Sequence, residues 1–208
     1  MISANAIIGS LVYRTRENLN KDSKFLSNLR KYAFVDNCIS NGKLNLWHYP
    51  GTMNEISNVL LQLNKHRKGG FLKFPSVLNF QNIKQDRGNT TVLHYNLAIV
   101  APVLSEWLTE ERESQAFELL LRPIYEEFLR QITLSGYFNL DYGTPSHTCY
   151  EVFTTGDSSG VMLERYGDNI DAIELHDLSL ELKLNDCKHS KISEENKKVL
   201  QGFENLIR

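Results

Sequence analysis

Apolar side chains recur at helical spacing in two long stretches of the chain. Residues 3–18 carry them three and four positions apart, with Arg14 and Arg16 on the polar side. Residues 105–133 repeat the pattern more clearly, although Pro123 interrupts it. This spacing places the apolar side chains on one face of an α-helix. Both stretches therefore predict amphipathic helices, and the second is expected to begin or kink near Pro123.

A short strand followed by a capped helix is predicted in the next part of the chain. Residues 44–48 alternate between apolar and polar side chains, as a strand does. Pro50 and Gly51 follow and indicate a turn. Thr52 or Asn54 can then cap a third helix through a side-chain oxygen.

Two further strands are predicted to form a hairpin. Residues 71–81 are strand-like, with Pro75 at the start or on an edge because proline has no N–H to donate. Residues 92–100 alternate well. The polar residues 82–91 lie between them, so we expect an antiparallel hairpin with a long, exposed loop.

The last strand is predicted for residues 172–184. It follows a short strand around 150–153 and a loop rich in Gly, Asp and Ser at 154–170. The apolar positions of the last strand change phase by one residue at His176 and Asp177. One extra residue in a strand produces such a change, so a β-bulge is expected there.

The order of these elements predicts an α+β fold with a small, mostly antiparallel sheet and helices packed on one face. Residues 44–186 form the predicted core domain. Residues 1–43 are expected to form an N-terminal helix and an arm that orders against a neighbouring molecule. Residues 187–208 are expected to form a charged C-terminal segment, helical from about 193.

Composition narrows the classes of function. The chain has 208 residues and a formal net charge of −2. Since Lys and Arg are not in excess, a free-standing nucleic-acid-binding protein is disfavoured. No run approaches the roughly 20 apolar residues of a membrane span. The three scattered cysteines predict buried thiols in a reducing compartment rather than a disulfide framework, and they are Cys38, Cys149 and Cys187.

One sequence resembles a catalytic motif. Gly-Asp-Ser-Ser-Gly at residues 156–160 resembles the nucleophile loop of trypsin-like serine proteases, from which it differs at one of these five positions. A small hydrolase that uses His147, Asp157 and Ser158 is therefore one alternative function. The chain lacks the histidine motif that those enzymes carry upstream, and a flexible turn explains the same residues. We therefore expect no enzyme.

Two short Cys/His pairs are candidates for zinc ligands. His147 and Cys149 are separated by one residue, and so are Cys187 and His189. Structural zinc sites usually separate the paired ligands by two to four residues. A buried cysteine beside an exposed histidine is the expected arrangement in each case, and neither a metal nor a cofactor is predicted.

Oppositely charged segments predict contacts between subunits. Residues 1–34 carry six Lys or Arg against two Asp or Glu, whereas residues 106–127 are rich in carboxylates. In a ring, one surface of each subunit meets a different surface of the next. The loops at 82–91 and 154–170 are also expected to reach neighbours. The candidate contact residues are Arg14, Arg16, Lys21, Glu110, Glu111, Glu113, Asp86, Arg87 and Asp157.

Five short sequences characterise the middle of the chain. They are Tyr-Pro-Gly-Thr-Met-Asn-Glu-Ile (49–56) before a helix, Lys-Phe-Pro-Ser-Val (73–77) before a strand, His-Tyr-Asn-Leu-Ala-Ile-Val (94–100), Leu-Leu-Arg-Pro-Ile-Tyr-Glu-Glu-Phe-Leu (120–129) and Arg-Tyr-Gly-Asp-Asn-Ile-Asp-Ala-Ile-Glu-Leu (165–175). With this order of elements, residues 44–184 resemble the tail terminator and tail completion proteins of tailed bacteriophages.

The resemblance implies a structural subunit that forms a ring, typically of six copies, at the end of the tail tube or below the portal. The implied partners are copies of the chain itself and tail-tube, portal or other neck proteins, with DNA only passing through the ring. The implied location is the virion, and the host cytoplasm during assembly. An adaptor that binds one protein without forming a ring remains the other alternative.

Overall fold

The computed structural model describes residues 3–65, 72–87, 91–140, 143–153, 168–183 and 191–198. For residues 81–87 it describes the backbone and not the side chains. The predicted loop at 154–170 and the predicted C-terminal helix therefore lie largely outside the described residues.

The helices of the described ranges are α1 (Ala4–Leu19), α2 (Ser23–Leu29), α3 (Val35–Cys38), α4 (Met53–Asn64), α5 and α6 (191–198). Helix α5 is continuous but not uniform. It consists of α-helical Thr109–Arg112, π-helical Glu113–Leu121 and α-helical Arg122–Ser135.

The strands are β1 (Ile39–Ser40), β2 (Lys43–Leu44), β3 (Trp47–Gly51), β4 (Ser76–Arg87), β5 (Thr91–Pro102), β6 (Phe138–Asn139), β7 (Ser146–Val152) and β8 (Ile170–Leu182). Strands β1 and β2 form a small antiparallel pair, and the other six form one sheet. The order is β3-β4-β5-β8-β6, and β7 also pairs with β8. Only β3 and β4 run parallel among these pairings.

The α+β class is confirmed, and two details of the prediction change. The six-stranded sheet is larger than expected, and helices cover both of its faces. Buried residues of α1, α2 and α5 pack against β5 and β8 on one face. Helix α4 packs against the other face, because it connects the parallel strands β3 and β4 and such a crossover must lie over the sheet.

The first 43 residues belong to the main core. Ile8 and Leu11 of α1 are 0% exposed, and Phe25, Leu29 and Tyr32 join the same apolar cluster as β5 and β8. The expectation of an arm for this segment is corrected accordingly. In the sequence, the apolar side chains of this segment are scattered among polar residues. They form one apolar cluster only when the segment packs against β5 and β8.

The start of α4 follows the predicted cap. Thr52 Oγ1 accepts a hydrogen bond from Glu55 N at 3.3 Å, and Glu55 Oε2 accepts one from Thr52 N at 2.7 Å. This reciprocal capping box satisfies N–H groups that have no partner inside the helix. Pro50 and Gly51, which indicated a turn, instead pair with β4 as part of β3.

The prediction of a long loop at 82–91 is wrong. Strand β4 continues to Arg87 and β5 begins at Thr91, and the two strands remain paired as far as these residues. Their register shifts between Phe80 and Lys84. Two strands pair through backbone hydrogen bonds, which do not require apolar side chains. The polar composition of residues 82–91 is therefore compatible with paired strands.

The predicted β-bulge is confirmed. Leu97 pairs with Leu175 and Tyr95 pairs with Leu178, so β8 uses one more residue than β5 over this interval. Asp177 takes up the extra residue with φ 54°. The bulge keeps the leucines on both sides of it in the core.

Helix α5 passes Pro123 without ending. The π-helical segment stops at Leu121, and Pro123 occupies the first turn of the α-helical part that follows. Proline lacks an N–H and clashes with the carbonyl four residues earlier. The wider π-helical turns before it accommodate this break in the hydrogen-bond ladder.

Candidate interaction surface

Of the three basic contact residues predicted in the N-terminal segment, two are engaged within the chain. Arg14 donates from Nη2 to Tyr137 OH at 2.6 Å and from Nε to Glu195 Oε2 at 2.8 Å. Arg16 is partly buried, and desolvation lowers its pKa. Lys21 alone of the three is exposed.

The predicted acidic residues lie at the beginning of α5. Glu110 and Glu111 are exposed, and Glu111 Oε2 accepts a hydrogen bond from Leu108 N at 2.9 Å. Glu113 Oε1 accepts one from Arg122 Nη2 at 2.5 Å. These carboxylates therefore stabilise the helix start and a local ion pair.

The basic and acidic segments are neighbours in one chain. The rings of Phe34, just after α2, and Trp107, just before α5, lie 5.9 Å apart. Helix α2 also packs against the π-helical part of α5. The side chains of Asp86 and Arg87, and all of Asp157, lie outside the described residues.

His147 is held on both sides of its ring. Its Nδ1 lies 3.0 Å from Pro145 O and its Nε2 lies 2.8 Å from Tyr125 OH. The carbonyl can only accept, so Nδ1 carries the proton and Nε2 accepts from the tyrosine. This imidazole has no nitrogen left for a serine hydroxyl, while Asp157 and Ser158 lie outside the described residues.

The cysteine prediction holds only in part. Cys38 is buried and desolvation raises its thiol pKa. Cys149 is exposed, contrary to expectation, because it lies on a strand at the edge of the sheet. Cys187 and His189 lie outside the described residues. Among the residues that the structure describes, no group of three or more His, Cys, Asp or Glu could hold a metal ion.

Strand β7 is the most exposed strand whose side chains the structure describes. Five of its seven residues are exposed and the other two are partly buried. Among the described residues it pairs with β8 on one side only. Its other side therefore presents backbone N–H and C=O groups along the edge of the sheet, which is a template for another strand.

Contacts with α5 fix β7 in place. Arg122 donates to both oxygens of Glu151, at 2.7 and 2.8 Å. The hydrogen bonds raise the pKa of Arg122 and lower that of Glu151. Burial, and then a hydrogen bond with Cys149, raise the pKa of Tyr125 to about 12. These contacts hold β7 against α5.

The sheet face beside β7 is only partly covered. Helix α4 packs over Ala98 and Ala172, but not over the continuation of that face. There the Tyr150 ring, 53% exposed, meets the His176 ring edge-on at 5.3 Å. Glu174 Oε2 lies 2.8 Å from His176 Nε2. We call the exposed end of this face, with the β7 edge, the open end of the sheet.

A cavity of about 410 Å³ adjoins the open end, between β6, residues 144–146 and β8. Among the described lining residues, Glu181 carries a carboxylate, which accepts a hydrogen bond from Asn139 Nδ2 at 2.8 Å. The other described lining residues are polar and apolar without charge.

The sequence predicts only a short strand around residues 150–153 in this region. A strand that is exposed on both faces shows no alternation of apolar and polar residues. The available signal was composition, because Thr148, Tyr150 and Val152 all favour strands.

Comparison with models of protein families, with curated proteins and with solved structures gave no match. The described helices include none with the length and apolar character needed to cross a membrane.

Proposed function

We propose that this chain is a structural assembly subunit, and that it acts in the neck or tail of a tailed bacteriophage. The observation that carries the proposal is the exposed edge of β7. Within the part of the chain that the structure describes, the outer side of this seven-residue strand pairs with no other strand, so it presents hydrogen-bonding groups that a second chain can satisfy. The hydrogen bonds between β7 and α5 support the same role, because a surface that is held in place before binding loses less entropy on binding.

The narrower part of the proposal, the neck or tail role, is supported by the resemblance of residues 44–184 to tail terminator and tail completion proteins. In that role the chain forms a ring, of about six copies, that joins or caps the tail. Its partners are copies of itself and tail-tube, portal or other neck proteins. It works in the virion after assembly in the host cytoplasm.

The hydrolase alternative receives less support. A serine nucleophile needs a histidine nitrogen to take its proton. The nitrogens of His147 already contact Pro145 and Tyr125. A reactive serine probe checks this directly, since labelling of Ser158 in the folded chain would favour the hydrolase.

The deciding experiment measures both assembly and location. Native mass spectrometry of the full chain is expected to detect a cyclic oligomer, and mass spectrometry of purified virions is expected to detect its peptides. A chain that stays monomeric at high concentration and is absent from the particles would overturn the proposal. A one-to-one complex with a single protein, without a ring, would support the adaptor instead.

A further inference from the structure

We propose that the cavity between β6, residues 144–146 and β8 binds the side chain of an arginine that a partner protein presents. The cavity has a volume of about 410 Å³, which lies near the lower end of the range for ligand pockets, about 300–1,000 Å³. This inference goes beyond the proposed function, because it concerns side chains on the face of the sheet and not the backbone groups at the β7 edge. It holds whether or not the chain belongs to a virion.

The topology of the sheet creates the cavity. Strand β6 ends at Asn139 and β7 begins at Ser146, and both strands pair with the side of β8 that β5 does not occupy. The chain leaves the sheet between these two strands, and Leu140, Thr144 and Pro145 form one wall of the cavity. A recess therefore remains beside β8.

Side chains from three neighbouring strands form the floor of the cavity. Glu181 of β8 pairs with Val92 of β5 on one side and with Asn139 of β6 on the other. Directly paired residues point to the same face of a sheet, so these three side chains form one row. Ser179 and Ser146 form the next row. The floor thus combines one carboxylate, one amide and two hydroxyl groups with the apolar side chain of a valine.

Helix α4 does not extend over the cavity. The helix packs on this face over Ala98 and Ala172, whereas Ser179 and Glu181 lie further along β8 and are partly exposed. Helices α1, α2 and α5 pack on the opposite face. A side chain of another molecule can therefore enter the cavity without displacing a helix that the structure describes.

The charge and the hydrogen-bonding groups of the lining favour a cation. Glu181 is the charged residue among the described lining residues, and its Oε1 accepts a hydrogen bond from Asn139 Nδ2 at 2.8 Å. Its Oε2 and the hydroxyl oxygens of three further lining residues can accept hydrogen bonds from a ligand, and these residues are Thr144, Ser146 and Ser179. An anion is disfavoured, because none of the described lining residues is positively charged.

An arginine side chain fits this lining better than a lysine side chain does. The guanidinium has five N–H donors in one plane, whereas the ammonium group has three donors. It can therefore donate to Glu181 and to several hydroxyl groups at the same time. Its aliphatic stem can pack on the apolar lining residues Val92, Leu140 and Pro145.

The absence of positive charge from the described lining also favours a polypeptide over a free amino acid. Free arginine carries a carboxylate, which would lie near Glu181 without a cation to balance it. An arginine inside a polypeptide has uncharged peptide groups in its place. The occupant that this lining favours is therefore an arginine on the surface of a partner protein.

An NMR titration of the isotope-labelled full chain with the blocked peptide acetyl-Gly-Arg-Gly-amide tests the proposal. We expect saturable shift changes at the backbone amides of Asn139, Ser179 and Glu181, with a millimolar dissociation constant. The same peptide with citrulline in place of arginine has nearly the same shape without the charge, and it is expected to bind at least about fivefold more weakly. The lysine peptide is also expected to bind more weakly than the arginine peptide.

Three variants separate the cavity from the rest of the surface. Glu181→Gln removes the charge with little change in shape and is expected to weaken binding of the arginine peptide at least about fivefold. Ser179→Leu keeps Glu181 but fills the cavity, and it is expected to abolish the shift changes. Glu174→Gln is the matched control, because Glu174 lies on the same face of β8 but does not line the cavity. It is expected to leave the dissociation constant unchanged, and thermal unfolding verifies that each variant folds.

The absence of saturable shift changes, equal binding of the arginine and citrulline peptides, or binding that Glu181→Gln does not weaken would overturn the proposal. Binding retained by folded Ser179→Leu would place the peptide outside the cavity. Equal affinity for the lysine peptide would overturn the assignment to arginine. These results are distinguishable from failure of the proposed function, because a chain without this site can still form a ring, and a chain absent from virions can still bind the peptide.

Discussion

Arg112 and Asp171 form a buried ion pair, with 2.7 Å between Nη1 and Oδ1 and side chains 2% and 0% exposed. The pair joins the first turn of α5 to the beginning of β8. Arg112 Nε also donates to Trp107 O at 3.1 Å. It therefore fixes where the longest helix meets the centre of the sheet.

Removing one member of this pair is expected to be costly. Asp171→Leu removes the carboxylate that the buried Arg112 Nη1 contacts, and we expect the free energy of unfolding to fall by about 3–5 kcal/mol. The double variant Arg112→Met, Asp171→Leu is expected to recover part of that loss, because both charges of the pair are then removed together. Urea unfolding measures both. As a contrast, Glu113→Gln, at a partly exposed ion pair, is expected to cost about 0–1 kcal/mol.

Gly9 of α1 faces the side chain of Asn196 on α6. A Cβ atom there would lie 2.0 Å from Asn196 Oδ1. Since this oxygen is the end of a side chain that can rotate, Gly9→Ala is expected to displace the Asn196 amide and to speed amide hydrogen exchange at 191–198 only slightly. With Asn196→Ala present, adding Gly9→Ala is expected to leave that exchange unchanged, because the clashing oxygen is absent. A large increase in exchange with Gly9→Ala alone would show that the Asn196 side chain cannot move aside.

The stability of the fold is expected to fall as the pH falls below about 6.5, in part because of His48. Burial lowers its pKa from 6.5 to about 3. Between these values the unfolded chain binds a proton at this site that the folded chain excludes. The stabilising effect is therefore complete above 6.5 and is lost as the pH falls towards 3, by up to about 1.4 kcal/mol per pH unit.

Unfolding curves between pH 7 and pH 4 check this effect. His48→Gln lacks the titrating group, so its stability is expected to depend less steeply on pH than that of wild type. Equal slopes for the two proteins would assign the pH dependence to other groups.

The bulge in β8 depends on the backbone at Asp177, which has φ 54°. Asp177→Val places a β-branched residue in this left-handed region, and we expect a loss of about 1–2 kcal/mol. Asp177→Gly relieves the conformation and is expected to be neutral or stabilising by up to about 1 kcal/mol. The backbone hydrogen bond from Asp177 N to Asn96 Oδ1, 3.0 Å, remains in both variants. Urea midpoints distinguish the two outcomes.

Much of the fold could be predicted from local sequence. The face of β5 that carries Leu93 and Leu97, the cap at Thr52 and the bulge at Asp177 all follow from spacing or from side-chain chemistry over a few residues. Each is a local property, and each is confirmed.

Little of the candidate interaction surface could be predicted in that way. Arg14 was expected to meet a neighbour, but it contacts Tyr137 and Glu195, which are 123 and 181 positions away. Cys149 was expected to be buried and lies exposed in β7. Both outcomes depend on which segments of the chain pack together. The residue types within one segment do not determine its packing partner.

The sequence by itself determined the α+β class and the apolar faces of α1, β5 and α5, because burial of one face imposes a period on the residues. Only the tertiary structure decided that the N-terminal segment joins the core, that β4 and β5 continue through polar residues, and that β7 lies at the open edge. A strand that is exposed on both faces shows no periodic pattern of apolar residues. A contact between residues far apart in the sequence does not affect the spacing of apolar residues near either of them.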